Sequence, residues 1–259
     1  MTESVSESSA EAVVVSREGG LGFVTLNRPI ARNALRVRDK RAIGEAIDDL
    51  VAGGVRVIIV TGSGDRAFCA GTDIKEMATF SATEGLAMLQ TEAEMFDKVM
   101  RAPVPVVAAV NGAALGAGCV LAYCCDLVIA GKSATFGQPE VRNGVPAPVQ
   151  AALLPRIVGL NRARWMIYTG EVMSAQNAYL AGLVGLLADD VTLLLETRRL
   201  ADKLAIMPIQ GMSLQKRIVD SWVRDSFDAS VSSSAYIAAF AFETGEPQEA
   251  IRKFLARSR

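Results

Sequence analysis

The residue types able to move protons in this chain are quickly narrowed, because its 259 residues include no histidine. That removes Ser-His-Asp triads, Cys-His pairs and histidine-ligated zinc sites together. Proton transfer must then rest on a carboxylate, lysine, tyrosine, cysteine or water. The four cysteines, Cys69, Cys119, Cys124 and Cys125, have neither CxxC spacing nor histidine companions, so they read as buried thiols rather than a metal site or disulfides. Two stretches rich in small residues, "VTGSGDRAFCAGTDIKEM" and "AAVNGAALGAGCVLA", each follow an apolar run. Small residues let a ligand approach the backbone, and N–H groups at a helix start combine orphan donors with the positive end of the dipole. Such turns serve close packing, phosphate binding or an oxyanion. A P-loop is excluded because no Gly-Lys-Ser/Thr follows, and "GAALGAG" is a poor dinucleotide fingerprint.

The elements that must carry these turns follow a βαβ rhythm. "AVVVSREGGLGFVTLNRP" predicts two strands, Ala12 to Arg17 and Gly22 to Leu26, joined by a glycine-rich hairpin turn. Apolar residues at helical spacing predict a helix over Val37 to Val51, and "GGVRVIIVTGSG" then predicts a buried strand at Val55 to Thr61. A second round predicts a polar helix from Thr83 to Met100, a strand from Val104 to Val110, a buried helix from Ala117 and a strand from Asp126 to Ala130. An α/β core is implied. Beyond Leu187 the strand signal fades into successive helices, so the expected division is a lead over residues 1–11, a core over 12–195 and a helical region over 196–259.

Hydrophobic residues make up 51% of the chain, with no uninterrupted apolar run of about 18 residues, which argues against a membrane span. A formal net charge of −1 with interspersed signs gives no basic field for nucleic acid. The acidic, Ser-rich start "MTESVSESSAEA" lacks the features of a signal peptide, so a disordered lead on a cytoplasmic protein is expected.

Five ordered segments, "LNRPIARNAL", "IIVTGSGDRAFCAGTDIKEM", "PVVAAVNGAALGAGCVLAYCCDLVIA", "SATFGQPEVRNGVP" and "TGEVMSAQNAYLAGLVGLL", resemble the crotonase family, the enoyl-CoA hydratase/isomerase superfamily. The resemblance extends from Ala12 to Ser258. It implies a crotonase-like α/β spiral of ββα units, with a C-terminal helical region for trimerisation and often a dimer of trimers. It also implies an acyl-CoA thioester as substrate, so that coenzyme A arrives with the substrate and no separate cofactor or metal is needed. The resemblance assigns the backbone N–H groups of Thr72 and Ala117 to an oxyanion hole that stabilises a thioester enolate. Coenzyme A is placed along Ala31 to Ala34 and Ala70 to Ile74, with Arg32, Ala34, Ala70, Asp73, Ile74 and Lys75 as contacts, and Lys253 adding one from a neighbouring subunit. Met77, Val120 and Pro146 are expected at the acyl pocket, where Pro146 and Pro148 replace a glycine-rich stretch common in hydratases and stiffen the wall.

One departure bears on the reaction. Family hydratases use two glutamates, and here Glu140 in "FGQPE" matches the second whereas Val120 stands at the first. A paired carboxylate suits hydration, but one carboxylate suffices to carry a proton between two carbons of an enolate. Double-bond isomerisation by Glu140 is therefore the expected activity. The alternatives are a hydratase, hydratase-lyase or decarboxylase acting on a specialised acyl-CoA, and a non-catalytic acyl-CoA-binding protein. Valine in place of a carboxylate dries the pocket, raising the pKa of Glu140, and removes a like charge, lowering it; the net sign stays open at this point.

Overall fold

The computed structural model describes residues 11–257, so the expected lead over 1–11 lies, except for Glu11, outside the described residues. The strands are β1 (Val13–Glu18), β2 (Leu21–Leu26), β3 (Val57–Gly62), β4 (Ala67–Cys69), β5 (Val106–Val110), β6 (Ala113–Leu115), β7 (Leu127–Gly131), β8 (Thr135–Gly137), β9 (Val172–Ser174) and β10 (Leu186–Ala188). The helices are α1 (Val37–Ala52), α2 (Ile74–Met77), α3 (Ala82–Arg101), α4 (Ala117–Cys124), α5 (Leu154–Val158), α6 (Leu160–Thr169), α7 (Ala175–Leu180), α8 (Leu193–Ala205), α9 (Ile209–Arg224), α10 (Phe227–Phe240) and α11 (Glu246–Arg257).

The larger sheet runs β1-β2-β3-β5-β7-β10, antiparallel only between β1 and β2. Its central strands explain their own apolar sequences. In β3, Ile58 and Val60 enter the core beneath α1 and α3, while Val57 and Ile59 face a second core that includes Leu193 and Ala201 of α8. Side chains alternate across a strand, so a strand covered on both faces needs a continuous apolar run. Because α8 closes that second face, the expected boundary between residues 195 and 196 falls inside a helix of the core.

The smaller sheet runs β4-β6-β8-β9, with β4, β6 and β8 parallel and β9 antiparallel on its edge. All four of its strands are three residues long, too short for a period of two to declare itself in sequence. Helix α3 starts at a capping box of Ser81 and Glu84 and buries Met88, Thr91, Glu92, Met95, Phe96 and Val99. No helix among the described residues is long and apolar enough to cross a membrane.

Candidate active site

The smaller sheet delivers three chain segments to one place. Strand β4 runs into Ala70–Thr72, β6 into Gly116 and the start of α4, and β8 into Gln138, Pro139 and Glu140. The three strands are parallel neighbours, with Cys69 opposite Ala114 and Leu115 opposite Gly137, so their C-terminal ends present these segments side by side. Ligands in parallel α/β sheets commonly sit outside such ends. A cavity of about 110 Å³ lies there, lined by Ala70, Gly71, Thr72, Ile74, Met77, Met88, Leu89, Glu92, Gly116, Ala117, Pro139, Glu140, Asn143, Val145 and Pro148.

The two N–H groups singled out in sequence reach this cavity for different local reasons. Thr72 forms an isolated parallel bridge with Leu35, in which Leu35 N donates to the Gly71 carbonyl at 2.8 Å and Asp73 N donates to the Leu35 carbonyl at 2.9 Å. Because extended backbone alternates direction, the intervening Thr72 N–H points away from Leu35. Ala117 is the first residue of α4, and its N–H has no intrahelical acceptor. Close approach of the two turns depends on glycine. A Cβ added to Gly71 (φ 97°) would lie 2.7 Å from the Leu115 carbonyl oxygen and 3.4 Å from Ala117 N. Gly116, at φ 53° and ψ −128°, is in a backbone region closed to other residues.

Glu140 lies in a 3-10 turn spanning Pro139–Asn143, opened by proline and closed by Gly144 in the left-handed conformation. Its Oε1 stands 3.0 Å from where a Cβ on Gly116 would be, which sets the carboxylate beside the start of α4. Its Oε2 is buried without a hydrogen-bond partner. Desolvation holds the Glu140 carboxyl above its ordinary pKa; a backbone N–H pulls the other way, and the charge of Glu92 adds a smaller push upward. The open sign of the sequence reading thus resolves upward. Burial also pushes Cys69 and Cys119 up to about 12, which leaves both thiols protonated and poor nucleophiles at neutral pH.

The segments assigned to coenzyme A are tied to one another. Ala70 N donates to the Arg32 carbonyl at 3.0 Å, and Arg28 Nη1 donates to the Ala34 carbonyl at 2.7 Å and to Asp73 Oδ2 at 3.0 Å. Burial works against ionisation of Asp73, but Arg28 and the Lys75 N–H overcome it and hold the carboxyl below its ordinary pKa. Arg32 and Lys75 are exposed near this junction. Lys253 is exposed on α11 and pairs with Glu249 on its own helix at 2.6 Å, so this chain does not bring it to the cavity.

Of the three residues expected at the acyl pocket, Met77 lines the cavity. Val120 is instead 3% exposed in the main core, because α4 is buried on every side. Pro146 faces outward from its loop, while Pro148 takes the wall position. Sequence reasoning missed Glu92 and Lys40, which meet behind Thr72. Their signal was available: each occupies a core-facing position in the helical period of its own helix, Glu92 between Met88 and Met95 in α3 and Lys40 beside Ile43 in α1. No three His, Cys, Asp or Glu side chains among the described residues gather as a metal site would require.

Comparison with known proteins finds relatives over nearly the whole chain. The model of the enoyl-CoA hydratase/isomerase family matches residues 16–259. Over 252 residues the chain is 34% identical to a crotonyl-CoA hydratase of Syntrophomonas wolfei, covering 95% of this chain and 96% of that one. It is 31% identical to a short-chain-enoyl-CoA hydratase of Clostridium acetobutylicum, with 95% of each covered. Among solved structures, an enoyl-CoA hydratase of Mycobacterium smegmatis superposes with a TM-score of 0.92 at 29% identity, covering 96% of this chain and 97% of that one. One from Bacillus anthracis does so with a TM-score of 0.91 at 27% identity, covering 95% and 97%.

Proposed function

Since the chain belongs to the enoyl-CoA hydratase/isomerase family and has its crotonase-like fold, we propose that it shifts the double bond of an enoyl-CoA between the 3,4 and 2,3 positions, with Glu140 carrying the proton. The observation that carries this reading is the buried, unpartnered Oε2 of Glu140 beside the first turn of α4. The other carboxylate on the cavity wall, Glu92, is engaged by Lys40 and Thr72. In the proposed reaction the thioester oxygen accepts hydrogen bonds from Thr72 N–H and Ala117 N–H. The Glu140 carboxylate removes a proton from C2 of the 3-enoyl thioester, and the electron pair passes into a dienolate whose charge rests on the held oxygen. The same carboxyl returns the proton at C4, leaving the double bond between C2 and C3. Its raised pKa suits a group that must both take and give a proton.

Coenzyme A enters as part of the substrate, its phosphates meeting exposed Arg32 and Lys75 while the acyl end occupies the cavity. Exposed Phe227, Tyr236, Phe240 and Phe254 on the C-terminal helices support assembly as a homotrimer or dimer of trimers, in which Lys253 would reach a neighbouring site. Sedimentation of the purified chain checks the assembly. Incubation with a 3-enoyl-CoA, followed by mass spectrometry and ultraviolet detection of the conjugated product, tests the reaction. Absence of 2-enoyl-CoA, or full activity of Glu140→Gln, refutes it.

Hydration is the second reading. Glu92 supplies another carboxylate on the cavity wall, and the relatives compared above bear hydratase names. Water added across a 2-enoyl-CoA, seen as 3-hydroxyacyl-CoA carrying solvent 18O, favours hydration over isomerisation.

A further inference from the structure

Lys40 and Glu92 are charges that the proposed reaction does not use, buried where two helices pack together. The Lys40 side chain is 0% exposed and that of Glu92 is 5% exposed, and they pair through Nζ and Oε2 at 2.5 Å. Lys40 Nζ also donates to Thr72 Oγ1 at 2.9 Å and to Met88 Sδ at 2.9 Å, which gives each ammonium hydrogen an acceptor. Thr72 Oγ1 in turn donates to Glu92 Oε2 at 3.0 Å. The threonine hydroxyl is thus fixed as donor and acceptor at once. Thr72, Met88 and Glu92 all line the cavity, with Lys40 directly behind them.

A buried ion pair is a poor way to fill a core, since apolar side chains of similar volume are commonly as stable or more so. What this pair supplies and a Leu–Met pair would not is direction. Two charged hydrogen bonds hold Oγ1, χ1 of a β-branched residue transmits that hold to the backbone, and the Leu35 bridge fixes the peptide on either side. We propose that Lys40 and Glu92 are positioning residues that set the orientation of the Thr72 N–H, keeping it convergent with the Ala117 N–H on one oxygen. This rests on the acyl-CoA reading of the cavity. It adds that one oxyanion donor is held by a buried ion pair reaching it from α1 and α3.

The test uses the full chain and acetoacetyl-CoA, a β-oxo thioester whose enolate has its own ultraviolet band. Two convergent N–H donors favour that enolate, so the band reports the oxyanion site without turnover. The double apolar swap Lys40→Met/Glu92→Leu is expected to melt near the wild-type temperature and bind acetoacetyl-CoA, yet lose the enolate band. Its kcat with 3-enoyl-CoA should fall about 10²-fold with little change in KM, the loss that slight misplacement brings. Thr72→Val, which keeps the N–H and the shape but removes Oγ1, should show a smaller loss of both signals.

A folded double swap with wild-type kcat and enolate band overturns the proposal and makes the pair a clamp between helices. If the double swap does not fold, unchanged signals in Thr72→Val overturn it instead. Wild-type protein that binds acetoacetyl-CoA without an enolate band removes the donor role and the proposal, but leaves acyl-CoA binding standing. No binding by wild type overturns the acyl-CoA reading itself.

Discussion

Replacing Ala117 by proline deletes one N–H and leaves its surroundings almost intact. Ala117 opens α4, the position where a helix best tolerates proline, because the N–H there has no intrahelical partner and a helical φ is near that of the ring. The residue before a proline is normally driven to extended backbone. Gly116, at φ 53° and ψ −128°, occupies the mirror image of such a conformation, which glycine adopts as readily as its parent. Stability should therefore change by no more than about 1 kcal/mol. Activity should not be spared. Loss of one preorganised donor costs about 2.7–4 kcal/mol at the transition state, or roughly 10²–10³ in kcat. The assay is steady-state turnover of an enoyl-CoA alongside thermal melting, with Ala117→Gly as the control that keeps the N–H. A folded Ala117→Pro variant with kcat within about threefold of wild type would show that the thioester oxygen is not held there, and the oxyanion geometry would have to be redrawn.

Glu140→Gln should lower kcat by about 10²–10⁴-fold while the protein still binds acyl-CoA; a smaller loss would move the proton-transfer role elsewhere. With the folded pKa of Glu140 raised mainly by desolvation, the acid limb of kcat/KM should lie above about 4.3, the ordinary glutamate value, and Glu92→Gln should move it down. The same upward shift means that Glu140 contributes stability fully present below its unfolded pKa and lost as pH rises through the folded one, so the Glu140→Gln melt should lack that decline. A Cβ on Gly118 would fall 2.2 Å from the Cys69 carbonyl oxygen, so Gly118→Ala should cost about 1–3 kcal/mol in denaturant titration as α4 is pushed off β4. Asn33, in the left-handed region at φ 57°, donates to the Ser63 and Ala67 carbonyls and accepts from Arg28 N. Asn33→Ala should cost about 3 kcal/mol or more, and a melt unchanged from wild type would contradict the assigned bonds.

The long elements were legible because each carries several turns or alternations of its period. The strand predicted over Val55 to Thr61 is β3, and the helix predicted over Val37 to Val51 is α1, both within two residues at each end. The smaller sheet was not legible. The turns around Gly71 and Gly116 stood out by composition and Glu140 by the family resemblance, yet the three-residue strands that bring them to one edge left no periodic trace.

The chemistry divides along the same line. Sequence alone reveals that Val120 is not a carboxylate, but not that another carboxylate reaches the cavity from α3, because α3 reads as a polar helix until its buried stripe is traced through Glu92. Nor can residue type separate two glutamates on one wall. Glu92 has an oxygen committed to an ammonium and a hydroxyl, which fits it to hold a neighbour in place. Glu140 has an oxygen committed to nothing, which fits it to exchange a proton. What each carboxylate can do is set by what its oxygens already touch, and that property arises only once α1, α3 and the three short strands have met.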